Sequence, residues 1–165
     1  MAQTITPPSA EMQLRTIQDR IEITDVLYRY ASTIDKFDLD GLRATLSDDI
    51  WAQYGNADPV VGGDAVAAWI GQAIEQVIWQ HHLLSVYHVE IDGDEAKALV
   101  YHTSHQVFED EPESAKVLVG RYHNELRRDG DGWKISRLVL ELLWGEAKLD
   151  ATGYFALVGG RGPTA

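Results

Sequence analysis

The chain has 165 residues, enough for one well-buried core and too few for two ordinary domains. Apolar residues make up 45% and charged residues 24%, and no apolar run reaches membrane-spanning length, so neither a disordered nor a membrane-embedded protein is expected. A formal net charge of −12 disfavours nucleic acid and anionic lipid as partners, and the lack of cysteine excludes disulfides, thiolate nucleophiles and thiolate metal sites. A small organic ligand or another protein remains as the partner. The opening MAQTITPPSA has no basic region followed by an apolar core, so it is not a secretory signal, and a cytoplasmic location is expected.

In chain order, residues 1–10 with Pro7 and Pro8 read as a mobile lead. From Ser9 or Thr16, Ile17, Ile21, Leu27, Tyr30 and Ile34 recur at helical spacing, which predicts a long amphipathic helix ending near Asp35. Asp38 is placed to cap a short second helix carrying Leu39, Leu42 and Leu46. Ile50 to Tyr54 reads as a strand with Ile50, Ala52 and Tyr54 on one face. After Gly62-Gly63-Asp64, the apolar set from Val66 to Ile78 predicts a third helix running to about Trp79.

Five of the six histidines fall in the next stretch, residues 80–108, which reads as one β-hairpin around Asp92-Gly93-Asp94. A loop of Gly93-Asp94 sets Glu90 opposite Lys97, Tyr87 opposite Val100 and His82 opposite His105; the other register would oppose Glu90 and Glu95. The favoured register puts His82 and His105 on one face and turns His102 to the other. Lys116 to Arg128 and Trp133 to Trp144 form a second hairpin around Asp129-Gly130-Asp131-Gly132. Residues 146–165 are a tail whose Leu149, Tyr154, Phe155 and Leu157 could cover a pocket. Helices followed by long antiparallel strands predict an α+β fold in a single domain, a curved sheet wrapped around the helices. Val117 and Val119 beside Leu118, and Val139 and Leu143 beside Leu138 and Leu140, make both faces of the second hairpin apolar. One face then needs cover from a partner subunit, so a homo-oligomer is expected.

His82 has a credible chemical role from the residues alone. An imidazole titrates near neutrality, and a carboxylate on its second nitrogen fixes the tautomer and stabilises the imidazolium. The competing readings are structural: a buried histidine bonded to backbone, an Asp35 that merely ends a helix, a Tyr54 in the core, and an Asn124 satisfied by a neighbouring backbone group. Trp69, Trp133 and Trp144 read as core.

The order and spacing of several motifs resemble the SnoaL-like branch of the nuclear-transport-factor-2-like superfamily, and scytalone dehydratases within it. The marks are Asp35 in TIDKFDLDGL, Tyr54 in IWAQYG, His82 in WQHHLLSV, His105 in YHTSHQVF, Asn124 in RYHNELRR, DGWKI at 131–135 and WGE at 144–146. The resemblance implies a cone-shaped barrel with an internal pocket, assembled as a trimer or, next, a dimer. It implies a cofactor-independent elimination in which His82 is the base and Asp35 orients it. His105 and Asn124 would hold substrate and leaving hydroxyl, and Tyr54 would polarise a carbonyl through water. The family's second tyrosine falls on Ile34 here, and Tyr30, one helical turn earlier, faces the same way. Three readings follow: a dehydratase-like lyase with no metal or cofactor, a non-catalytic binding or assembly protein, and a metal site built from His82, His105 and Asp35. Isomerase or cyclase chemistry is a further possibility within the group.

Overall fold

The computed structural model describes residues 9–130 and 132–150, the side chains of 146–150 excepted. The expected lead before Ser9 and the expected covering tail beyond Asp150 lie outside the described residues. Helix α1 spans Ala10–Asp35, and its N-cap Ser9 accepts a hydrogen bond from the Met12 amide at 3.2 Å. Only its second half enters the core, through Ile23, Val26, Leu27, Tyr30 and Ile34. Ile17 and Ile21, expected on the buried face, are exposed because the sheet packs on the side of the helix that carries Asp19, Ile23, Leu27 and Ile34, and the two isoleucines lie well round from it.

Helix α2 is Leu39–Arg43, capped by Asp38 as the sequence predicts. Leu46 belongs instead to strand β1, Leu46–Tyr54, where it is buried opposite Ile135. A two-residue strand β2, Val60–Val61, was not anticipated. Helix α3 covers Gly63–Ala73 and stops well before Trp79, since the β-branched Val77 and Ile78 open strand β3, Val77–Asp92. Asp64 is not its cap; Gly62 is, with φ 101°, and Asp64 pairs with Arg43. Strands β4 (Glu95–Phe108), β5 (Glu111–Asp129) and β6 (Gly132–Asp150) complete one six-stranded sheet in the order β2-β1-β6-β5-β4-β3. All neighbours are antiparallel except β1 and β6. The fold is the expected α+β arrangement, helices against a curved sheet, but the sheet is open: β2 and β3 remain edges.

Ile23, Leu42, Leu46, Ile50, Leu126, Ile135 and Leu138 are almost wholly removed from water, and each such side chain contributes about 1.5–3 kcal/mol through its burial. Buried Asp19 on α1 accepts from Arg128, which also donates to Asp94 at 3.0 Å, so one guanidinium ties the helix to the ends of both hairpins. No helix among the described residues is long and apolar enough to cross a membrane.

The β3–β4 turn is Gly93-Asp94, with Gly93 at φ 61°, and Glu90 does face Lys97. That register survives only to Leu99. A bulge at Tyr87 adds one residue to β3, so Val86 rather than Tyr87 pairs with Val100, and His82 faces Ser104. His105 lies opposite His81 on the outer face, and His102 turns inward beside His82. The expected His82–His105 pair is therefore overturned, by a single extra residue. Trp144, read as core, is exposed, whereas Trp133 is buried.

Candidate active site

The site begins where α1 ends. Gln80 on β3 donates to the Ile34 carbonyl at 2.6 Å, satisfying a helix-terminal acceptor and holding the strand against the last turn. This sets Asp35 beside His82. Because β3 is an edge strand, half of its amides have no ladder partner, and the His82 amide donates to Asp35 Oδ2 at 3.0 Å. His82 Nδ1 bonds Asp35 Oδ1 at 2.6 Å. A carboxylate only accepts, so Nδ1 carries a proton, and in the neutral ring Nε2 is then the nitrogen with the lone pair. The His82 side chain is largely buried, and Asp35 is anchored at both oxygens.

Beside this pair lies His102, on the inner face of β4, with ring centroids 5.8 Å apart and an interplanar angle of 23°. Burial first, then the neighbouring His82, drives the His102 pKa down to about 4 against a weaker contribution from the Gly120 backbone, so the ring is neutral at physiological pH. Its Nδ1 lies against the Gly120 backbone without forming a hydrogen bond of good geometry there. The ring packs on Tyr122 at 4.8 Å, Tyr122 meets Tyr30 edge-on at 6.0 Å, and the Tyr30 and Tyr54 hydroxyls are 2.9 Å apart. Tyr54 stacks on Trp69 at 4.6 Å. Burial pushes all three tyrosine hydroxyls well above their usual range, which keeps them protonated; charge on neighbouring groups adds to this for Tyr30 and Tyr122.

Asn124 sits on the inner face of β5, two residues beyond Tyr122, between Ala98 and Leu138. It is 4% exposed, and its Oδ1 also lacks a partner. His102 Nδ1 and Asn124 Oδ1 are the two such buried side-chain atoms among the described residues. Unpaired buried polar atoms cost free energy, and in a polar site they are the atoms a ligand would satisfy.

Of the residues singled out from sequence, Asp35 and His82 are brought together, as are Tyr30 and Tyr54, and Asn124 shares their inner face. His105 is not brought in. With it turned outward, His82, His105 and Asp35 do not converge, and no group of three His, Cys, Asp or Glu side chains among the described residues is placed to hold a metal ion. Sequence reasoning missed His102, Tyr122, Ser104 and Trp69. A signal for the first was present: the inward apolar residues of β3 change phase between Leu84-x-Val86 and Val89-x-Ile91, whereas Ala96, Ala98 and Val100 on β4 do not.

The SnoaL-like domain family matches residues 15–139. The chain belongs to this family. An uncharacterized protein of Mycobacterium tuberculosis (strain ATCC 25618 / H37Rv) is 27% identical to this SnoaL-like chain over 129 residues, 78% of this chain and 88% of the relative. Among solved structures, a candidate scytalone dehydratase from Novosphingobium aromaticivorans DSM 12444 superposes with a TM-score of 0.72 at 15% identity, covering 95% of this chain and 100% of the other. A hexachlorocyclohexane dehydrochlorinase from Novosphingobium barchaimii LL02 gives 0.76 at 15% identity, covering 87% and 98%. At such identities these two establish the shared fold alone. The family's fold therefore carries enzymes named for eliminating water and for eliminating hydrogen chloride.

Proposed function

We propose that this SnoaL-like protein is a cofactor-independent lyase that removes an activated proton and eliminates water from a small cyclic or aromatic carbonyl compound. The observation that carries the reading is the two-point attachment of His82 to Asp35, which presents Nε2 as a base with its tautomer fixed. Nε2 takes the proton next to the carbonyl, the carbon–hydrogen electron pair becomes the new double bond, and the hydroxide leaves, recovering the proton from His82 as water. Asp35 stabilises the imidazolium in between. Neutral His102 takes the part first given to His105, hydrogen-bonding the leaving hydroxyl without bringing charge into the pocket, and Asn124 Oδ1 accepts from a substrate hydroxyl. Tyr54 and Tyr30 lie at the carbonyl end.

The test is to incubate the protein with a panel of β-hydroxy ketones and follow the conjugated enone by its absorbance. Enone formation that disappears in His82→Gln supports the reading. Ligand binding without turnover across the panel would favour a binding protein on the same fold.

The outer sheet face supports a second proposal, self-association. Leu83, Tyr87 and Trp144 are each more than half exposed there, a liability for a lone subunit. Light scattering at micromolar concentration should return a multiple of 18.4 kDa, three-fold first and two-fold next; a mass of one chain would reject it.

A further inference from the structure

Helix α1 carries a second apolar face, away from the sheet. Leu14, Ile17, Ile21 and Tyr28 are 65%, 57%, 57% and 45% exposed. With Thr24 they fall at alternating steps of three and four residues, the narrow seam by which two helices pair. The seam lies roughly 120° round the helix from the buried face of Ile23, Leu27, Tyr30 and Ile34. Residues 10–18 are all exposed, and Asp19 is the first buried side chain of the helix. A helical overhang of this length without apolar packing is marginal in water, so the seam marks a contact that a lone chain leaves unmade. Two other segments of the chain fit that contact poorly. Residues 1–8, MAQTITPP, offer Met1 and Ile5 as large apolar side chains. Strand β6 ends at Asp150 opposite Ser114, at the other end of the sheet from the turns that Arg15 and Arg128 tie to α1 through Asp94 and Asp19.

We propose that α1 pairs with the α1 of a second copy of this chain, antiparallel across a two-fold axis near Asp19. Ile17 of each copy then packs on Ile21 of the other, Leu14 meets Thr24, and Ala10 meets Tyr28. The overhanging turns of one copy lie beside the half of the other copy's helix that is already held by its sheet, which supplies the packing that residues 10–18 lack. Charge selects the direction. In a two-fold antiparallel pair, like flanks of the two helices meet, and Glu11 and Arg29 lie on the same flank of the seam, so Glu11 of each copy comes within reach of Arg29 of the other. Among the described residues neither of these two side chains has an ion-pair partner within its own chain. A parallel pair would instead set Glu11 beside Glu11 and Asp25 beside Asp25. The seam points away from the sheet, so this contact does not compete with association through the outer sheet face.

The experiment uses the full chain, which has no cysteine of its own. An equimolar mixture of Ile17→Cys and Ile21→Cys chains, one of them tagged, should form the mixed disulfide under mild oxidation at least about tenfold faster than Lys36→Cys, an exposed position off the seam, links to itself. Faster linkage of each seam variant to itself than to the other would mean a parallel pair and overturn the arrangement. Sedimentation separates this contact from the sheet face. With the outer face blocked by Leu83→Glu and Trp144→Glu, the chain at sub-millimolar concentration should return twice 18.4 kDa, and adding Ile17→Glu should return one chain. Charge reversal then checks the register. Glu11→Arg should weaken pairing about tenfold, and Arg29→Glu added to the same chain should restore it to within about threefold. The two positions are roughly 27 Å apart along one helix, so rescue between them requires a second copy. Mixed linkage no faster than the Lys36→Cys control, a mass of one chain in the blocked variant before Ile17→Glu is added, or no rescue by the double reversal would overturn the pairing.

Discussion

The two faces of the β3–β4–β5 ribbon carry the same residue type to opposite ends. On the inner face, His82 is bonded twice to Asp35, His102 is buried and held neutral, and two buried polar atoms, His102 Nδ1 and Asn124 Oδ1, lack a hydrogen-bond partner. On the outer face, His81 and His105 oppose one another near the surface, and His123 joins the Arg121–Glu141 ion pair at 3.0 Å. Removal from water makes the difference. An exposed imidazole exchanges one polar partner for another at little cost, whereas an inner one must be paired or neutral. A histidine in this sequence is informative only once its face is known.

The comparison is tested most severely at His82. His82→Gln should lower turnover by at least about 100-fold while the fold and ligand affinity persist, and Asp35→Asn should be comparably severe. The double variant should be hardly worse than either one, since groups acting as a unit lose their function once. Multiplying effects, or intact turnover with a lowered melting temperature, would make the pair structural.

Gly120 is the next point of attack. A Cβ there would lie 2.7 Å from the Glu141 carbonyl and 3.1 Å from His102 Nδ1, so Gly120→Ala should destabilise by about 1–3 kcal/mol through overpacking beside the site. Thermal unfolding measures this, and an unchanged melting temperature would show that the inner face is looser than drawn.

His102 gives a pH signature. Its folded pKa of about 4 lies below the ordinary histidine value of 6.5, so the unfolded chain binds the extra proton first. Stability from this group is complete above about pH 6.5 and is lost as pH falls toward 4, amounting to about 3 kcal/mol. Chemical denaturation between pH 4 and 7 should show a shallower acid decline in His102→Gln; an identical slope would mean that the ring is not neutral in the folded state. The smallest effects belong to the outer face. His81→Gln and His105→Gln should each change turnover less than about twofold. A large loss in His105→Gln would restore the pairing read from the turn.

Some of this was written locally. The Asp38 cap, the Gly93-Asp94 turn and the alternation of apolar residues along β1 are set by interactions within a few residues, and they stand as read, while of the two starts left open for α1 the structure takes Ser9. Asp35 and His82 could be nominated, since a carboxylate at a helix end and a histidine at a strand start are visible, but only the docking of α1 on edge strand β3 joins them at 2.6 Å. The second histidine was misassigned because a strand has period two: one extra residue at Tyr87 reverses every face beyond it, and a bulge is selected by sheet curvature and packing, not by the turn. Ile17 and Ile21 were placed in the core because apolar residues at helical spacing suggest a buried face, whereas the side that packs on the sheet there carries the buried Asp19, held by Arg128 from the far end of β5. Composition and local pattern thus determined the element types and the α+β class. The meeting of Tyr30 with Tyr54, the neutrality of His102 and the parallel pairing of β1 with β6 were decided by tertiary structure, because each depends on groups far apart in the chain that only packing brings together.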